Sequence, residues 1–160
     1  MWVEALDLIL QRLKKSNLDF GKIAVVSGCA QQHGSVYWKN GSSKILSSLD
    51  PKKQLVDQFV DAFSIEESPI WMDCSTTEQC KAIEIAVGGG LELAKLTGSR
   101  AHERYDGPQI RKSSEKHPEI YQNTKRISLV SSFMASLLIG GYACIDQTDG
   151  AGMNLMDIER

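Results

Sequence analysis

Trp2, Leu6, Ile9, Leu10 and Leu13 recur at spacings of three and four, which places them on one face of a helix. Lys14, Lys15 and the Ser16-Asn17 pair close it. The continuous apolar run at 23–26 then reads as a strand covered on both sides. A helix feeding such a strand predicts an α/β domain. Residues 35–39 predict a second strand. Asn40-Gly41 suits a tight hairpin, because both central residues of that turn need positive φ. Ile45, Leu46 and Leu49 then fall on a returning strand, and a helix is expected within the polar stretch 50–68, over 53–63.

The run at 69–73 predicts another strand. Ser75 with Glu78 and Thr76 with Gln79 form overlapping capping boxes that open a helix to Val87. Gly88-Gly89-Gly90 follows that helix and lacks the Lys-Ser/Thr partner of a phosphate loop, so it reads as a helix stop. A short helix over 91–96 ends at Gly98, a polar loop covers 100–107, and helical pieces are expected over 109–116 and from His117. A strand at 127–130, a helix at 131–139 closed by Gly140-Gly141, and a loop over 146–152 complete the pattern.

Composition changes this picture little. The 160 residues are 42% hydrophobic and 24% charged, with net charge −2, as in one ordinary globular domain. No basic stripe is present, which argues against a nucleic-acid partner. Cys29, Cys74, Cys80 and Cys144 have no zinc-type spacing, so reduced thiols in a cytoplasmic protein are the expectation, with no metal. Residues 127–145 are uncharged but carry four serines and a glycine pair, which fits a buried strand and helix better than a membrane span. Met1-Trp2 enters a helix directly and the last residues add no clear element, so the chain is expected to be one incomplete domain.

The polar chemistry gathers around "SGCAQQHGSVYW", residues 27–38. In an α/β sheet the ends of strands point into the ligand crevice. Gln31, Gln32 and His33 offer donors and acceptors without a fixed negative charge, which suits a neutral polyol or sugar. Asp73 stands at the end of the 69–72 run in the same way. By their chemistry alone the residues fit a plainer reading somewhat better, a partly buried, hydrogen-bonded His33 with loop-capping glutamines. His102, Glu103, Arg104, Asp106, Asp146 and Asp149 could serve acid–base or metal chemistry, but no nucleophile elbow or zinc-protease motif accompanies them.

The blocks "SGCAQQHGSVYWKNG", "PIWMDCSTTEQC", "LTGSRAHERYDGPQI" and "ISLVSSFMASLLIGGYACIDQTDGAGMNLMDI" together resemble the xylulose-kinase group, animal type, of the FGGY carbohydrate kinases. The resemblance covers nearly the whole chain and is weakest over 44–67. It implies an actin-like, ribonuclease-H-like fold, with residues 1–160 forming part of the N-terminal, sugar-binding domain in a mixed sheet with flanking helices. It implies transfer of a phosphoryl group from ATP, with Mg2+, to D-xylulose in the full-length protein. A related pentulose or polyol kinase, or a non-catalytic sugar-binding fragment, is the alternative. His33 and Arg104 are implied as sugar contacts, Gln32 and Trp71 as further contacts, and Asp73 as a supporting residue. The family's catalytic Asp lies in a Gly-Asp-Asn/Gln segment that does not occur here. Asp149-Gly150 belongs to an earlier loop. The 160 residues alone are therefore expected to be catalytically incomplete and to bind no ATP or Mg2+.

Overall fold

The computed structural model describes residues 1–159. Helix α1 (Trp2–Lys15) leads through a 3-10 turn (Phe20–Lys22) and an irregular segment to strand β1 (Ser35–Lys39). Helices α2 (Ser42–Ser47), α3 (Leu55–Gln58), α4 (Thr77–Ala86), α5 (Gly90–Thr97), α6 (Asp106–Lys116) and α7 (Pro118–Gln122) follow. Strand β2 (Thr124–Leu129), helix α8 (Val130–Ile139) and helix α9 (Gln147–Gly152) end the described chain. The chain is thus mixed helix and strand. Among the described residues its sheet is one antiparallel pair, β1 against β2, with Ser35 opposite Leu129 and Tyr37 opposite Ile127.

The core is built on Trp38, which is fully buried. Its ring lies 5.3 Å from those of Phe63 and Phe133, 5.5 Å from Tyr142 and 6.2 Å from Phe59. Its indole N–H donates to the Ser128 hydroxyl across the strand pair at 2.9 Å. Val3, Val36, Leu46 and Leu137 complete the cluster. On the other edge of β1, Lys39 N–H donates to Ala62 and Ser64 N–H donates to the Tyr37 carbonyl. β1 is therefore bonded on both sides, although only one partner is a strand. Tyr37 projects away from the Trp38 cluster and its hydroxyl meets Ser113 on α6 at 3.3 Å.

Several expected elements differ. The 23–26 run forms no strand and joins no ladder among the described residues, and Val25 remains 81% exposed. Apolar β-branched content predicts a strand only where a ladder partner exists. The expected return strand at 45–49 lies instead in α2 and just beyond it. Gly41 takes φ 95°, and the Ser42 hydroxyl donates to the carbonyls of Lys39 and Ala62, which folds the chain into a helix. β1 finds its partner in β2, a distant segment that a local hairpin signal cannot show.

The 69–73 strand does not form either. Pro69 lacks an N–H, Asp73 N–H closes a turn on the Ile70 carbonyl, and the Asp73 carboxylate takes the Ser75 N–H. The 53–63 helix shrinks to α3, whose free N–H groups at Leu55 and Val56 are held by the Asp7 carboxylate. Thr76 stands at the N-cap of α4, but its hydroxyl makes no capping bond and donates instead to the Glu103 carbonyl at 2.7 Å. The 146–152 loop is largely α9, with the Asp146 side chain accepting from Thr148 N–H.

Candidate functional site

Three loops converge beside the N-terminus of α6. The first is the turn at 31–34, just before β1. His33 there has φ 54°, a left-handed conformation uncommon outside glycine. Gly34 follows it, and a Cβ there would meet Val130 of α8 at 2.7 Å. The second loop carries Trp71 through the Asp73 turn. The third is the segment before α6, with His102, Arg104 and Tyr105. Gln109, 2% exposed, ties the last two together: its amide donates to the Asp73 carbonyl at 3.1 Å and to the Glu103 carbonyl at 3.0 Å. Sequence reading did not single out Gln109. A buried glutamine one turn into a helix has no local signature.

Gln32, His33, Trp71, His102, Arg104 and Tyr105 line one open cleft of about 190 Å³. The volume is below the roughly 300–1,000 Å³ typical of drug-sized ligands, so the cleft suits one small molecule. Tyr105 stands between two imidazoles, 5.0 Å from His33 and 5.4 Å from His102. The Arg104 guanidinium lies 5.5 Å from the Trp71 ring centre. Arg104 has no ion-pair partner among the described residues, so its donors face the cleft and solvent rather than a carboxylate.

The structure thus brings together Gln32, His33, Trp71 and Arg104. It places Asp73 elsewhere. The Asp73 carboxylate faces an adjoining cavity of about 540 Å³ with Gln109, Lys112, Ser113 and His117, and Lys112 lies 3.7 Å from it. Burial pushes this carboxyl up, but hydrogen bonds from Ser75 outweigh it and hold it below its ordinary range. Among the described residues no cluster of three or more His, Cys, Asp and Glu side chains could hold a metal ion. No helix among them is long and apolar enough to cross a membrane.

Asp106 and Glu103, beside Arg104 in sequence, do not pair with it. Glu103 turns toward His102 and Thr77. Asp106, the first residue of α6, is 1% exposed and lies 3.6 Å from Nδ1 of His33. Burial pushes its carboxyl up to about 6, against the opposing pull of His33. The folded chain therefore binds this proton more tightly than the unfolded chain does. The resulting stability is full below about pH 4 and is lost as pH rises through about 6. Relative to Asp106→Asn, the native chain is expected to lose on the order of 2–3 kcal/mol across that window. Urea unfolding of both proteins from pH 4 to 7 reads the difference. Parallel pH profiles would contradict it.

Compared with known proteins, the chain matches no protein-family profile. It is 67% identical to xylulose kinase 2 of Arabidopsis thaliana over all 160 residues. It is 57% identical to the xylulose kinase of Mus musculus over 159 residues, and 49% identical to a probable D-xylulose kinase A of Aspergillus fumigatus over 160. The chain is homologous along its whole length to xylulose kinases of plants, animals and fungi. It spans about 29% of the length of the Arabidopsis and mouse relatives and 28% of the fungal one.

Proposed function

We propose that the chain is part of the sugar-binding, N-terminal domain of a xylulose kinase with an actin-like fold. The whole protein then phosphorylates D-xylulose to xylulose 5-phosphate. The observation that carries this reading is the convergence of Gln32, His33, Trp71 and Arg104 from three separate loops on one small cleft, in a chain homologous to xylulose kinases throughout. When bound, ATP and Mg2+ supply the phosphoryl group and the charge neutralisation that its transfer needs.

The chain's own residues supply positioning. Arg104 donates to sugar oxygens from a planar fork that carries no acceptor. Trp71 offers its face to the C–H side of the sugar. His33 and Gln32 complete the polar contacts. Asp73 acts from outside the cleft, by fixing the turn that carries Trp71. None of these residues serves as the base.

In the whole protein, His33→Ala raises KM for D-xylulose roughly two- to twelve-fold, the equivalent of one hydrogen bond worth about 0.5–1.5 kcal/mol. KM for ATP stays nearly unchanged. Normal sugar binding with weakened ATP binding would move the 31–34 turn to a nucleotide site and end this reading.

A further inference from the structure

We infer that Asp106 is a positioning residue for His33. Its buried carboxylate keeps the imidazole proton on Nδ1 and leaves Nε2 as a hydrogen-bond acceptor for a ligand hydroxyl in the cleft. The acceptor role rests on the sugar-site reading; the positioning role does not.

Three observations carry the inference. The first is the contact itself. Oδ2 of Asp106 stands 3.6 Å from Nδ1 of His33, with the two side chains 2% and 19% exposed. That separation is too long for a hydrogen bond, yet it is close for an opposite charge in a buried place. Such contacts in ligand-free sites often tighten when the ligand arrives.

The second is the isolation of the carboxylate. Its Oδ1 is buried without a hydrogen-bond partner, a costly state for a charged group. The helix N-terminus offsets part of that cost, but an exposed acid in the first turn would gain the same benefit without burial. The titratable groups that face Asp106 are His33 from the 31–34 turn, Tyr37 of β1 and Asp149 of α9. Asp149 carries the same charge and is occupied by the Ser131 hydroxyl. Only His33 can answer a carboxylate with a donor that also reaches the cleft.

The third is the backbone. His33 sits at φ 54°, while the carbonyl of Gly34 beside it accepts from Val130 N–H at 3.1 Å. A side chain held by its main chain on one side and by a carboxylate on the other has little freedom to turn. Left-handed residues that the surroundings over-determine tend to gather at binding sites.

The consequence is chemical complementarity. Arg104 can only donate. A His33 with its proton on Nδ1 accepts at Nε2. A keto oxygen beside a hydroxyl needs one donor and one acceptor, which is the pair this cleft would then present.

Long-range proton–nitrogen NMR of the full chain at about pH 8 reads the tautomer directly. His102 provides an internal control, because its Nδ1 accepts from Arg104 N–H at 3.2 Å and its proton therefore belongs on Nε2. The expected result is opposite tautomers: His33 on Nδ1, His102 on Nε2. In Asp106→Asn, the His33 ratio of Nδ1–H to Nε2–H falls roughly tenfold or more, with the His102 and His117 signals unmoved. A native His33 carrying its proton on Nε2 would overturn the inference whatever the variant does. So would an unchanged ratio in a variant with intact His102 and His117 signals. D-xylulose added to the whole protein is expected to shift Nε2 of His33. No shift, with the Nδ1–H tautomer present, would overturn the acceptor role together with the sugar reading and leave the positioning role standing.

Discussion

Trp38→Ala costs about 3–5 kcal/mol of stability, the range for emptying a large aromatic site in a packed core. The mechanism has two parts. Four aromatic neighbours, Phe59, Phe63, Phe133 and Tyr142, lose the ring that joins them. The Ser128 hydroxyl, 1% exposed, also loses the indole donor that reaches it across the strand pair. A buried polar atom left without its partner adds about 1–3 kcal/mol, within the spread of the total. Trp38→Phe separates the two contributions, since it keeps most of the apolar contact and removes the hydrogen bond. Urea unfolding is the measurement. A loss below about 1 kcal/mol for Trp38→Ala would mean that this cluster is not where the fold is held.

On the proposed sugar-site reading, Arg104→Ala in the whole protein is expected to weaken D-xylulose binding by roughly ten-fold to more than a hundred-fold, corresponding to about 1.5–3 kcal/mol for a charged donor. The effect exceeds that of His33→Ala because the donor is charged and makes no ion pair in the described chain. Among the described residues no carboxylate competes with a ligand for its guanidinium. Its one aromatic contact, Trp71, lines the same cleft. Arg104→Lys recovers part of the affinity, because an ammonium keeps the charge but not the planar fork. KM for D-xylulose in both variants, with ATP saturating, reads the difference. An unchanged sugar KM in Arg104→Ala would remove Arg104 from the site.

The sequence made the helices legible where periodicity and stop signals agreed. α1 was visible from its apolar face. α5 and α8 ended at Gly98 and Gly140, both left-handed in the structure. The strands were less legible, for a physical reason. β1 and β2 lie far apart in the chain, and neither carries information about its partner. The 23–26 and 69–73 runs have strand composition, but composition does not supply a ladder. The first run stays unpaired, and Asp73 and Pro69 fold the second into turns.

The site followed the same division. The motif blocks named His33, Arg104, Gln32 and Trp71, and the structure brings these four to one cleft. Chemistry alone had read 31–33 only as a neutral polar crevice. The partners of these residues were not legible. In the sequence Asp106 reads only as one of several loop residues suited to acid–base or metal chemistry. The turn into α6 sends it inward to His33 instead, and only three-dimensional geometry carries that fact. Gln109 escaped notice for the same reason.

The most direct test of the account is calorimetric titration of the whole protein with D-xylulose, without ATP, for the native form and for the double variant His33→Ala/Arg104→Ala. The account predicts measurable binding to the native protein and a loss near the sum of the two single effects, roughly thirty-fold or more, since each residue contributes a separate hydrogen-bonding group. Equal affinity in the two proteins, or a native preference for glycerol or L-ribulose over D-xylulose, would contradict it.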